Sequence, residues 1–268
     1  MRTIIVQLTD LHLRPPGELA EGRIDTARFL QQAVAAVLAL PQTPHAWVIT
    51  GDLADHGLPA EYRQLRELLA PLRCPVFLLP GNHDDAGPLR SECPEHAYLG
   101  TEGDVRYSVP VGDVQLIAVD TTVRGQPHGA LDTDRLRWLA AALDACNGRP
   151  IIVAMHHPPF RTLIGHMDAM GLLEGADGLE ALVRAHPRVE RVICGHVHRP
   201  VQVRFGGSIA SICPSPAHQV ALDLRPDAPA AWTFEPGAFL VHAWDPATGL
   251  VTHQAYGGRF PGPYPFDD

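Results

Sequence analysis

The chain has 268 residues and a formal charge of −9, set by 21 basic against 30 acidic side chains. Every basic residue is an arginine, which excludes a P-loop lysine, a Schiff base and a lysine general base. The acidic balance argues against a non-specific nucleic-acid binder, which needs cationic side chains to displace counterions.

In chain order, short apolar runs at 4–8, 47–50, 76–79, 114–119, 151–155 and 192–194 read as strands. Between them, 26–40, 60–70, 132–145 and 178–185 carry apolar residues at helical spacing, as in Phe29, Leu30, Ala33, Val34, Val37 and Leu38. This alternation predicts a layered α/β core with largely parallel strands. After Pro200 the pattern changes to successive short strands at 201–205, 208–213, 219–224, 231–234, 239–244 and 250–255. These predict an antiparallel extension, 201–256, that completes a second sheet and offers an oligomer contact. The core is expected over 1–200, and 257–268 is a Gly/Pro-rich tail, either disordered or an arm laid across a neighbour.

No apolar run approaches the ~18 residues that cross a bilayer. Residues 1–6 meet Gln7 and Asp10 too early for a signal peptide. The five cysteines (Cys74, Cys93, Cys146, Cys194, Cys213) are scattered and form no C-x-x-C pair. These features predict a cytoplasmic protein with reduced thiols.

Metal-type side chains recur just after five of the strands: Asp10-Leu11-His12, Gly51-Asp52 with Asp55, Gly81-Asn82-His83-Asp84, His156-His157, and Gly195-His196-Val197-His198. Ligands of open α/β sheets bind outside the carboxyl ends of the strands, so five such clusters converge on one place. Oxygen and imidazole ligands without thiolate suit manganese, iron, zinc or cobalt. There are too many ligands for one ion, and the set divides naturally into two sites that share Asp52. Two metals about 3.5–4 Å apart clamp a phosphoryl group and supply hydroxide at neutral pH. A pair of divalent cations outweighs two aspartates, which lets an acidic, lysine-free protein hold a phosphodiester. His157, next to His156, points the other way if the segment is extended and reads as packed. His166, Met167 and Asp168, on the irregular 158–173 segment, and His218 are candidates for the pocket rim.

The ordered set Asp10-x-His12, Gly51-Asp52, Gly81-Asn82-His83-Asp84, His156 and Gly195-His196-x-His198 resembles the calcineurin-like metallophosphoesterases across about 3–200. Within them it is most similar to the bacterial cyclic-nucleotide (class III) and glycerophosphodiester phosphodiesterases. The resemblance implies a four-layer sandwich, two mixed sheets flanked by helices, with a dimetal centre of iron, manganese or zinc. Asp10, His12, Asp52 and His198 would hold one metal, and Asp52, Asn82, His156 and His196 the other. Asn82, His83 and His198 would also contact substrate. A metal-bridging hydroxide would attack phosphorus in line while His83 assists the leaving alkoxide, with Asp55, or in competition Asp84, orienting His83. Where related phosphatases keep a substrate-gripping arginine, this chain has His56, a departure that suits a diester with one fewer anionic oxygen. The expected activity is hydrolysis of small phosphodiesters, with 3′,5′-cyclic nucleotides such as cAMP first. Glycerophosphodiesters or a broad set of diesters are the alternative, and a phosphomonoesterase or nuclease comes behind. Neither a nucleic-acid polymer nor a membrane is an expected partner. The exposed edges of the C-terminal strands suggest a homo-oligomer, a dimer or higher.

Overall fold

A computed structural model describes residues 2–266. The chain runs β1 (Thr3–Leu8), α1 (Thr26–Leu38), β2 (Ala46–Thr50), α2 (Pro59–Leu69), β3 (Val76–Leu79), α3 (Ala86–Glu92), the hairpin β4 (Arg106–Val111) and β5 (Val114–Val119), then β6 (Gly129–Ala130) and α4 (Thr133–Asp144). It continues through β7 (Ile151–Ala154), α5 (Gly165–Asp168), β8 (Leu172–Glu174), α6 (Ala176–Ala185), β9 (Val189–Cys194), β10 (Val201–Phe205), β11 (Ser208–Ile212), β12 (Gln219–Val220), β13 (Trp232–Thr233), β14 (Ala238–Asp245) and β15 (Gly249–Tyr256). Two mixed sheets dominate, one ordered β15-β14-β1-β2-β3 and the other β10-β11-β9-β7-β5-β4.

Period-two alternation builds the layers. Along β5, Leu116 and Ala118 enter the core shared with the first sheet, whereas Ile117 and Val119 enter the core under α4 and α6. Along β7, Ile152 and Ala154 face one way and Ile151 and Val153 the other. Strands buried on both faces read as unbroken apolar runs, which is why the sequence shows no polar alternation there. Leu30, Ala33, Val34 and Val37 of α1, with Tyr62, Leu65 and Leu69 of α2, cover the outside of the first sheet. Leu139 and Leu143 of α4, with Leu179 and Val183 of α6, cover the second. The result is the expected four-layer sandwich. Asp25 caps α1 by accepting from Arg28 N, and Asp132 caps α4 by accepting from Arg135 N, which sets the starts of these helices.

The C-terminal segment departs from its expected placement. Only β10 and β11 join the second sheet, and β11 does so parallel to β9, with Ile212 opposite Cys194. The chain then crosses through the buried segment 213–219 to the first sheet, where β14 runs antiparallel to β1, with Thr3 opposite Trp244, and β15 follows as a hairpin partner. The physical reason is the free edge of β1, whose backbone groups need a partner on the side away from β2. The expected strand 219–224 shrinks to Gln219–Val220, paired with Trp232–Thr233, because the chain turns away through Pro226 and Pro229.

All five cysteines are free, and four of them are buried. Among the described residues, no helix is long and apolar enough to cross a membrane.

Candidate metal centre

β1, β2, β3, β7 and β9 all end at one edge of the sandwich, and the loops that leave them bring Asp10, His12, Asp52, Asn82, His156, His196 and His198 together. His12 Nε2 lies 3.2 Å from His198 Nε2 and 3.6 Å from Asp52 Oδ2, and His198 Nε2 lies 3.6 Å from Asp10 Oδ1. On the other side of Asp52, His156 Nε2 lies 3.3 Å from the same Oδ2 and 3.2 Å from Asn82 Oδ1, which is 3.0 Å from His196 Nδ1. Asp52 Oδ2 therefore faces both halves of the cluster.

The turns that carry these side chains are strained. Asp10, His12, Asp52, His196 and His198 all have positive φ, between 44° and 74°. Left-handed backbone costs a non-glycine residue about 1–3 kcal/mol, and such residues gather where function requires the geometry. Two glycines permit the close approach. A Cβ on Gly51 (φ +98°) would stand 2.3 Å from His156 Nδ1, and one on Gly195 would stand 1.9 Å from Thr9 Oγ1.

The donor set fits divalent metal ions on the evidence of its outward hydrogen bonds. His12 Nδ1 meets Asp55 Oδ1 at 3.2 Å, His156 Nδ1 the Thr50 carbonyl at 2.8 Å, and His198 Nδ1 the His218 carbonyl at 3.0 Å. Each outer nitrogen donates, so the inner Nε2 of the neutral ring is left with a bare lone pair, the tautomer a metal needs. Three such lone pairs directed at buried carboxylate and amide oxygens do not satisfy one another. His196 Nε2 is buried with no hydrogen-bond partner among the described residues.

Without an ion, the carboxylates hold a proton on two of these rings, which a bound cation would displace. Burial opposes charge on His12 and His156, yet the carboxylates around them (Asp55, Asp52 and Asp10 for His12; Asp52 and Asp10 for His156) push both up to about 9. Burial raises Asp10 to about 6 against the pull of His156. Asp52 is held well below the usual carboxylate range by His156, in spite of burial. The His/Asp groups of the cluster are able to bind two metals.

His83 is exposed at the mouth, its ring edge-on to His12 at 4.7 Å between centroids. Asp55 does meet His83, but through its main-chain carbonyl rather than the expected carboxylate. Asp55 directs its carboxylate to His12, and His83 Nδ1 instead donates to the Asp55 carbonyl at 2.9 Å. Asp84 is also not the partner of His83, because its carboxylate accepts from Leu53 N, Ala54 N, Gly81 N and Tyr62 OH and ties the loops after β2 and β3 together. His157 is packed as expected, with Nδ1 at 2.8 Å from Thr121 Oγ1 and Nε2 at 3.2 Å from the Pro127 carbonyl.

A cavity of about 330 Å³ opens over the cluster, and His166, Met167, His218 and Trp232 help to line it. Asp168 is not part of it, since its carboxylate is bonded to Thr162 and Leu163. Sequence reasoning missed Trp232, Arg14 and the carbonyls of Thr50 and His218. Carbonyls leave no side-chain signal, and Arg14 reaches the site only because it packs on His56 beside Asp55.

The calcineurin-like phosphoesterase family model matches residues 3–200. The chain belongs to this family. It is 34% identical to a probable glycerophosphodiester phosphodiesterase, GpdQ, of Arcobacter nitrofigilis over 98% of this chain and 96% of that one. It is 32% identical to a probable cyclic nucleotide phosphodiesterase of a Synechococcus species (87% and 86% covered), and 29% identical to the 3′,5′-cyclic adenosine monophosphate phosphodiesterase CpdA of Vibrio vulnificus (96% and 92%). Among solved structures, a dimetal phosphatase of Danio rerio superposes with a TM-score of 0.63 at 13% identity, covering 96% of this chain and 99% of that one. That last likeness concerns the fold alone.

Proposed function

We propose that this family member is a dinuclear metal phosphodiesterase acting on small diesters. Asp10, His12, Asp52 and His198 would hold one ion, and Asp52, Asn82, His156 and His196 the other. The observation that carries this reading is the set of three outward-bonded imidazoles with bare inner nitrogens around a shared Asp52. The chemistry that such a pair of ions supplies when bound is Lewis-acid polarisation of the phosphoryl oxygens and activation of water. Manganese, iron and zinc suit the oxygen and imidazole donors.

The chain's own residues do the rest. Asp52 and Asp10 leave the loaded site with net positive charge, which holds the phosphoryl group. Asn82 and His198 face the same opening. His83 donates Nδ1–H to the Asp55 carbonyl, so Nε2 is the position that, in the protonated ring, carries the proton the leaving oxygen would take. Among the described residues no arginine lines the cavity over the cluster, and Arg14, in the adjoining hollow with Asp55, His56 and His83, is engaged by Glu18 and Asp55. A monoanionic diester needs less side-chain charge than a dianionic monoester, so this lining favours a diesterase.

The names of the matched relatives support both glycerophosphodiesters and cyclic nucleotides as substrates. The test is to strip the protein of metal, reload it with manganese, and assay cAMP, glycerophosphoethanolamine, bis(4-nitrophenyl) phosphate and 4-nitrophenyl phosphate side by side. Turnover of the monoester far above that of every diester would overturn the reading. Metal analysis of protein purified without added ions identifies the native pair. The outer edge of β15 and the exposed Tyr256, Phe260 and Tyr264 support a homo-oligomer, which light scattering tests by mass.

A further inference from the structure

Glu21, Ala230, Ala231 and Trp232 border both the cavity over the metal cluster and the hollow outside it, and so form the junction between the two. The alanines leave this junction open, while Glu21 brings its one charged group and Trp232 its one aromatic ring. Glu21 also borders the hollow beside His83. It is exposed, and its carboxylate has no ion pair or hydrogen bond among the described residues, although Glu18 on the same loop is paired with Arg14 at 2.6 Å. Arg23 lines the outer hollow but not the cavity. Both groups of the junction are fixed in place. Ala20 N donates to the Ile24 carbonyl at 3.0 Å and Ile24 N to the Ala20 carbonyl at 2.8 Å, closing a turn that holds Glu21 at φ +49°. Ala20 and Ile24 are buried with Ala217, and Trp232 packs against the same three residues. One small piece of core therefore sets the position of the Glu21 turn relative to the indole.

We infer that Glu21 and Trp232 form a subsite for an ammonium group on the alcohol arm of the substrate, an inference that rests on the diesterase reading. The two ends of the cavity then carry opposite charge, with the loaded cluster taking the phosphoryl anion and the junction taking the cation. A zwitterionic diester of an amino alcohol matches this polarity, whereas a neutral arm such as glycerol meets only one half of it. A carboxylate attracts any ammonium, and an indole face attracts even a quaternary one, which has no hydrogen to donate. Phe234 continues the aromatic wall outward, its ring edge-to-face with Trp232 at 5.1 Å between centroids.

The experiment uses the manganese-loaded full chain as wild type, Glu21→Gln and Trp232→Leu. Glutamine keeps the size of Glu21 and removes its charge. Steady-state kinetics compare glycerophosphocholine with glycerophosphoglycerol, calorimetry compares phosphocholine with sn-glycerol 3-phosphate, and metal content is measured for each protein. We expect Glu21→Gln to raise KM for glycerophosphocholine about five- to tenfold with kcat and metal content held, and to move KM for glycerophosphoglycerol by less than about twofold. The wild-type preference for the cationic arm should shrink as ionic strength rises, and that salt dependence should be absent in Glu21→Gln. Both variants should weaken phosphocholine more than sn-glycerol 3-phosphate. Equal changes on the two substrates in Glu21→Gln, or none on either, overturn the inference while the diesterase reading stands. A wild type that turns over no diester overturns the reading. Calorimetry then decides the inference by itself, since a phosphocholine affinity insensitive to Glu21→Gln defeats it.

Discussion

Asp55 holds two histidines at once: its carboxylate accepts from His12 Nδ1 at 3.2 Å, and its backbone carbonyl accepts from His83 Nδ1 at 2.9 Å. A substitution at this position separates the two roles, because it removes the carboxylate and keeps the carbonyl. We expect Asp55→Ala to weaken metal binding about 10- to 100-fold, the usual cost of losing an outer partner of a ligating histidine. Titration calorimetry with manganese reads this directly. Full affinity with a loss confined to kcat would show that Asp55 serves His83 after all.

Asp52 and His83 should respond in opposite ways. Asp52→Ala removes the oxygen that faces both halves of the cluster, and we expect bound metal and turnover to fall together. His83→Ala is expected to keep most of the metal and lose roughly 10²–10⁴ in kcat. Paired metal analysis and kinetics check both, and an empty site in His83→Ala would contradict its placement at the mouth.

The close approach at Gly195 predicts a steric phenotype. A Cβ there meets Thr9 Oγ1 at 1.9 Å and the Thr50 carbonyl at 3.0 Å, next to the His196 N–H that donates to Asp10. We expect Gly195→Ala to destabilise the fold by about 1–3 kcal/mol and to lower metal content. Thr9→Ala in the same chain should recover part of the loss, because it removes the nearer obstacle. Thermal melts of the two variants measure this.

A buried histidine away from the cluster, His242, gives a pH dependence that is independent of metal. His242 lies between the sheets, with Nε2 at 3.0 Å from Gln7 Oε1 and Nδ1 at 2.8 Å from Thr252 Oγ1. Burial, helped by Arg191, lowers it to about 3. The unfolded chain takes up this proton below about 6.5, whereas the folded protein refuses it until about 3. The stability contributed by neutral His242 is therefore complete above pH 6.5 and is lost progressively as pH falls toward 3. Urea midpoints should drop between pH 7.5 and pH 5 more steeply for the wild type than for His242→Gln. Equal slopes would remove the assignment.

Much of the fold was legible because it rests on local periodicity. The apolar runs at 4–8 and 151–155, and the 3.6-residue spacing of Leu30, Ala33, Val34 and Val37, announce their own elements. The partner of β1 was not legible. The sequence of β14 reads as a strand, but it contains nothing that says whether it closes the first or the second sheet, since an edge accepts any strand of suitable register.

The candidate site divides along the same line. Asp10, His12, Asp52, Asn82, His156, His196 and His198 were readable from the sequence because chemically distinctive side chains follow predictable strands, and a layered α/β fold brings strand ends together whatever its details. The partner of each histidine was decided only in three dimensions. Asp55 went to His12 because His83 is satisfied by a main-chain carbonyl, and His156 and His198 are oriented by the carbonyls of Thr50 and His218. Every residue carries a carbonyl, so sequence cannot distinguish the few that matter. Packing selects them by fixing which carbonyl ends beside which ring.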